Sequence, residues 1–217
     1  MKLVATSSLG YSVAARALVA VAALTAATAC AQTIVDEWAT VKAPPAPALK
    51  AVTVDPKTTA LLMVDFARQT CNSERRPRCV TSVPKVQKLL AEARAKGMLV
   101  IYTLAATSKT ADILSELAPL GSEPQVTSVA DKFVHTDLEK ILKDKDIKAA
   151  IVVGTAAHGG VLYTASGCAM RGIQTIVPVD VVSAESAYAE QYTAWQLANA
   201  PTVGNRVTLT RIELIGF

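Results

Sequence analysis

The stretch from Ala149 to Glu185, AAIVVGTAAHGGVLYTASGCAMRGIQTIVPVDVVSAE, decides the fold. Its first six residues, AAIVVG, are apolar without alternation, the pattern of a strand buried on both faces. TAAHGG follows as a glycine-bearing turn, VLYTASGCAMRG carries helical spacing up to a glycine stop, and QTIVPVD is a second apolar strand. Strand, turn, helix and strand in that order make a βαβ unit. The turn lies at the carboxyl end of the first strand, where such sheets present backbone N–H groups and reactive side chains to a ligand. A functional site near Gly160 is expected.

The same alternation runs outward from this unit. Apolar strands are read at 60–66, 98–104, 149–154 and 174–180, and helices at 83–97, 137–144, 160–171 and 185–200, with RVTLTRIELI as a final strand. A polar loop holding Cys71 and Cys79 separates the first strand from the first helix. Unbroken apolar strands alternating with helices specify a three-layer α/β/α sandwich around a mostly parallel, Rossmann-like sheet. Residues 58–217 form this one domain, and no period repeats along the chain. Residues 32–57 contain Ala43-Pro44-Pro45-Ala46-Pro47, which joins neither a helix nor a central strand, so they read as an extended arm.

Residues 1–31 have the form of a secretory signal peptide: Lys2 and Arg16, an uncharged run from Ala17 to Ala29, then small residues. The run is shorter than the roughly 20 residues a membrane span requires. Two cleavage readings stand, one before Gln32 and one before Cys30, the second leaving a cysteine for lipid attachment. Export would make the protein periplasmic or secreted. Removing residues 1–31 takes away Lys2 and Arg16 and no acid, leaving 20 basic against 18 acidic side chains. The cluster Arg75, Arg76, Arg78 lacks interleaved aromatics and reads as a solvated loop, and no nucleic-acid partner is expected. In an oxidising compartment Cys71 and Cys79, separated by NSERRPR, are placed for a disulfide, the alternative being two free surface thiols.

Three motifs in order, ALLMVD (60–65), KFVHTDL (132–138) and the turn Gly154 to Val161, resemble the isochorismatase-like hydrolase superfamily, which includes the cysteine hydrolases of small amides. The resemblance implies that Asp65, at the end of its strand, is a general acid or base. It also implies a lysine upstream of the segment matched by Phe133, Thr136 and Leu138. Lys132 takes that place if the loop is shortened; at the more usual spacing the chain has Thr127, and Lys132 is then a surface lysine. The glutamine common two residues after the aspartate is Ala67 here.

At the nucleophile position of the cysteine hydrolases this chain has Gly160, and Cys168, eight residues further on, reads as a buried packing residue. Gly154, Ala157, His158 and Gly160 resemble instead the turn of the isochorismatases. Those enzymes cleave a vinyl ether by protonating its enol carbon and adding water, with no covalent intermediate. The resemblance places substrate contacts at Thr155, Ala156, His158 and Gly159, with a non-proline cis peptide at Thr155–Ala156, whereas read by itself His158 is equally a turn histidine. His135 and His158 lack metal-binding spacing, so neither a metal nor another cofactor is expected. These residues describe an exported hydrolase of a small molecule; the alternative is a binder that has kept the pocket and lost the chemistry. Self-association into a homo-oligomer follows from the resemblance.

Overall fold

A computed structural model describes residues 33–217, and the expected signal peptide, with Cys30, lies outside them. The chain divides into two units at Ala43/Pro44. In the first, helix α1 (Ile34–Glu37) opens on Thr33, whose N–H and hydroxyl both donate to Asp36. No described helix is long and apolar enough to cross a membrane.

The second unit is built on a parallel sheet of strands β2 (Thr59–Val64), β3 (Leu99–Ala105), β4 (Gln125–Ser128), β5 (Ala149–Thr155), β6 (Gln174–Pro178), β7 (Val182–Ser183) and β8 (Val207–Thr210). Its order is β4-β3-β2-β5-β6-β8, with β7 beside the end of β5. The helices are α2 (Pro77–Ala95), α3 (Leu138–Asp144), α4 (Leu162–Met170) and α5 (Ala187–Asn199). Side chains along β2 alternate between two cores because successive Cβ atoms leave opposite faces of a strand. Leu61 and Met63 pack with Val86, Leu89 and Leu90 of α2, whereas Ala60, Leu62 and Val64 pack with Leu138 of α3, Ala165 of α4 and Leu197 of α5. The three-layer α/β/α architecture is the one the apolar strands specify.

The order matters for function. From β2 the chain progresses through β3 and β4 to one edge, then returns to β5 and progresses through β6 and β8 to the other. Direction reverses between β2 and β5, and a crevice opens outside their carboxyl ends at such a point.

Several boundaries differ from expectation. Helix α2 starts at Pro77, six residues before the expected position, and so contains Cys79 and Pro84. Pro77 occupies the first helical position, where its missing N–H costs nothing, while the carbonyl left without a partner by Pro84 is that of Val80, on the exposed side. Strand β4 was not expected. It is a four-residue edge strand with alternate residues buried, too short for a distinctive pattern. The final apolar stretch divides into β8 and β9 (Ile215–Gly216), and β9 pairs with β1 (Val52–Thr53), inside the segment read as an arm. Cys71 and Cys79 form a disulfide with a Cα–Cα distance of 5.4 Å, and both are buried.

Gly154 opposes Val64 across the β2–β5 pair at φ 144°, and a Cβ there would stand 2.0 Å from the Val64 carbonyl oxygen. Backbone would have to move to admit it. Gly97, also at positive φ (70°), has open space where a Cβ would go. Gly154→Ala is expected to lower the unfolding free energy by at least ~3 kcal/mol and Gly97→Ala by only ~1 kcal/mol, read from urea midpoints at constant slope.

Candidate active site

Asp65 follows the last residue of β2 and turns the chain out of the sheet in the left-handed region, φ 55°, which aspartate tolerates better than most residues. Three hydrogen bonds hold that backbone. The Asp65 N–H donates to the Thr103 carbonyl at 3.0 Å, and its carbonyl accepts from the Ala67 N–H at 2.8 Å and from the Thr70 hydroxyl. The side chain is thereby fixed at the crevice floor, with the residue only 7% exposed.

Lys132 is the partner. Its ammonium lies 2.9 Å from Asp65 Oδ1 and donates to the carbonyls of Leu104 at 3.2 Å and Ser128 at 3.5 Å, at the ends of β3 and β4. With 1% of its surface exposed it is no surface lysine, and Thr127 of β4 is the exposed residue. The contact of Asp65 Oδ1 with Lys132 is a buried ion pair. Burial raises the Asp65 pKa above the ordinary carboxylate range, opposed by the charge of Lys132, then by hydrogen bonding to it, then by the charge of Arg76.

After β5 the peptide bond Thr155–Ala156 is cis, and the turn Ala157–Val161 leads into α4. Gly160 faces the carboxylate: a Cβ at this position would stand 2.9 Å from both Asp65 Oδ2 and Val64 Cγ1. Thr155, Ala156 and Gly160 line a cavity of about 350 Å³ together with Asp65 and Lys132. His158, which is exposed, and Gly159 are not among the residues that line it. The turn also offers fewer donors than its sequence suggests. The N–H groups of Gly159 and Val161 both donate inward to the Ala156 carbonyl, at 3.0 and 3.2 Å.

Arg76 is the residue the sequence reading missed. Its expected place was a solvated loop with Arg75 and Arg78, which are exposed, but Arg76 is 5% exposed and lines the cavity beside Arg75. Its guanidinium donates to the Thr70 carbonyl at 2.9 Å and to Glu185 Oε1 at 2.6 Å, and Arg75 Nε donates to the same oxygen at 3.0 Å. That hydrogen bond from Arg76 holds the Glu185 carboxyl down at about 2. The available signal was position: Arg76 lies between two bridged cysteines, eleven residues after Asp65.

Cys168 is fully buried in α4, and burial pushes its thiol up to about 12. A second cavity, about 380 Å³, opens at the amino ends of the strands around Gly97, Leu99 and Ile147. It is lined by the Arg94–Glu123 ion pair, 2.8 Å apart and more exposed than Asp65 and Lys132, and lies at the opposite end of the sheet from the crevice. Among the described residues no group of three or more His, Cys, Asp or Glu is placed to hold a metal ion.

Compared with known proteins, residues 59–211 match the isochorismatase domain family. The chain is 32% identical over 112 residues to the secreted isochorismatase effector Isc1 of Verticillium dahliae, covering 46% of this chain and 59% of that protein. It is 26% identical over 151 residues to an N-carbamoylsarcosine amidase of Arthrobacter sp, covering 57% of each. The chain thus spans less than two thirds of the length of these curated relatives. A cysteine hydrolase from Pseudomonas syringae pv. phaseolicola superposes with a TM-score of 0.65 at 21% identity, over 77% of this chain and 94% of that one, a likeness of fold.

The opposed effects on Asp65 give a signed expectation. Removing Lys132 removes the largest opposing contribution, so in Lys132→Met the Asp65 pKa rises further, as read from the pH dependence of its carboxyl carbon by NMR. Breaking this buried pair is expected to cost about 3–5 kcal/mol at neutral pH. The cost shrinks as pH falls, because a protonated Asp65 needs no counter-charge and the wild type then carries Lys132 unpaired. A destabilisation that grows on acidification would contradict it.

Proposed function

Because the chain belongs to the isochorismatase family, we propose that it is an exported hydrolase that acts on a small molecule without a cysteine nucleophile, with Asp65 as general acid and base and Lys132 as its charge partner. The observation that carries the proposal is the contact at Gly160. The space a side chain at this position would occupy is filled by the Asp65 carboxylate and Val64, each 2.9 Å from the Cβ position, so the acid reaches the site directly. Cys168 offers no substitute, since a buried thiol with a pKa near 12 supplies no thiolate at neutral pH.

A buried carboxyl with a raised pKa is suited to deliver a proton in a site shielded from solvent. A vinyl ether would be cleaved in three steps. Asp65 protonates the enol carbon, leaving an oxocarbenium ion; water adds to it and returns a proton to the Asp65 carboxylate; the hemiketal then collapses to an alcohol and a carbonyl compound. Lys132 stabilises the carboxylate between the two proton transfers. A cavity of about 350 Å³ suits a small substrate.

Export is part of the same proposal, with residues 1–31 as the removed segment and 58–217 as the hydrolase domain. Two observations support it: a buried disulfide, which persists in oxidising compartments, and a relative whose description is that of a secreted protein. Assembly into a homo-oligomer is expected from family membership.

The test is turnover of a panel of small vinyl ethers, esters and amides by the mature protein. Asp65→Asn should lower kcat/KM at least about 10²-fold, the usual contribution of a positioned acid or base. Iodoacetamide should leave the wild-type rate unchanged. Turnover unaffected by Asp65→Asn, or abolished by the alkylating reagent, would overturn the proposal.

A further inference from the structure

Charged groups in the cavity wall do not balance. Its charged lining residues are Asp65, Lys132, Arg75 and Arg76, three bases and one acid. Lys132 is occupied by Asp65, which leaves the two guanidinium groups. Behind them stands a single acid, Glu185, and both arginines meet it at the same oxygen, Oε1. Among the described residues, one carboxylate shared between two guanidinium groups leaves the cavity wall with one positive charge in excess. Arg76 is, in addition, nearly fully buried, and its Nε has no hydrogen-bond partner among the described residues. Burying a guanidinium with one donor left unpaired is unfavourable unless something else compensates it.

We propose that Arg75 and Arg76 form a subsite for the carboxylate of a small organic acid, which makes the substrate an anion whose acid group is held at the disulfide-bridged loop while its reacting atom faces Asp65. The assignment rests on the hydrolase reading for the reacting end and adds the chemistry of the other end. Planar guanidinium groups pair with carboxylates through two parallel N–H···O bonds, and such charge-assisted pairs are worth more than neutral ones. The support behind the arginines is rigid. Arg76 is anchored to the Thr70 carbonyl and to Glu185, its N–H donates to the Asn72 carbonyl at 2.8 Å, and its carbonyl accepts from the Cys79 N–H at 2.9 Å. The disulfide from Cys71 to Cys79 closes this loop. Arg78, which points away and pairs with Glu190, is not part of the subsite.

Calorimetric titration of the disulfide-intact protein with benzoate and succinate, each against its primary amide, tests this at low salt. The acids should bind about tenfold or more tightly than the amides, the scale of one charge-assisted hydrogen bond. Arg76→Gln should remove that preference, and Arg78→Gln should leave it intact. Arg76 is buried, so Arg75→Gln, at an exposed position, serves as the variant that keeps the fold and should lose part of the preference. Four results would overturn the subsite: no binding of either acid up to millimolar concentration, equal affinity for acid and amide, a preference that survives Arg75→Gln/Arg76→Gln, or inorganic phosphate binding as tightly as the carboxylates. Because binding is read without turnover, acid selectivity in a protein that hydrolyses nothing refutes only the hydrolase reading. Turnover confined to uncharged substrates refutes only the subsite.

Discussion

The site depends on one buried ion pair, Asp65 with Lys132, placed where the sheet reverses direction. At 2.9 Å the attraction is about 6 kcal/mol for an effective dielectric near 20. Removing two ions from water costs several kcal/mol each, so the pair comes close to breaking even. The direction of the Asp65 shift shows which side prevails: burial outweighs both cations, and the carboxyl is a weaker acid than an exposed one. A tighter pair would fix Asp65 as a permanent anion. The imbalance leaves it able to hold or release a proton, the property an acid-base residue requires.

Much of the neighbouring sequence exists to let this pair form. Left-handed backbone at Asp65 costs on the order of 1 kcal/mol and is offset by the bonds its carbonyl accepts from Ala67 and Thr70. The space around it comes from two glycines with different duties. Gly154 lets β5 lie against Val64, where any Cβ would strike the carbonyl oxygen, while Gly160 leaves the carboxylate room to stand against the start of the turn. Thr70 ties the two halves of the site together, because its hydroxyl donates to the Asp65 carbonyl and its own carbonyl accepts from Arg76.

What was legible in the sequence follows from how local the cause is. Strands β2, β3, β5 and β6 are buried on both faces and show as unbroken apolar runs, so the sheet and the site at its carboxyl edge could be read directly. Asp65 and Gly160 belong to motifs within those units. Lys132 was ambiguous because spacing along a loop does not say which way a long side chain points, and burial alone separates a site lysine from a surface one. Arg76 was misread for a related reason. Its flanking arginines are solvated, and contacts to the Thr70 carbonyl and to Glu185, a residue 109 positions away, draw it inside. The start of α2 was hidden because Pro84 resembles the first turn of a helix, whereas Pro77 holds that position and Pro84 is tolerated at an exposed turn.

The two charge systems at the cavity are built differently, and the difference is informative. Asp65 and Lys132 are matched one to one and shielded from solvent, which suits a pair whose proton count changes within a reaction. Arg75, Arg76 and Glu185 are matched two to one, with Glu185 partly exposed and its carboxyl held down at about 2 by the hydrogen bond from Arg76, whereas burial shifts the Asp65 carboxyl the opposite way. A fixed charge suits binding and a variable one suits chemistry. Under the proposed function, separating the two within one cavity would let a ligand's charge be recognised without committing the protonation state of Asp65. The disulfide-bridged loop serves that separation, since it holds the arginines to Thr70 and Glu185 rather than leaving a flexible guanidinium to collapse onto the Asp65 carboxylate.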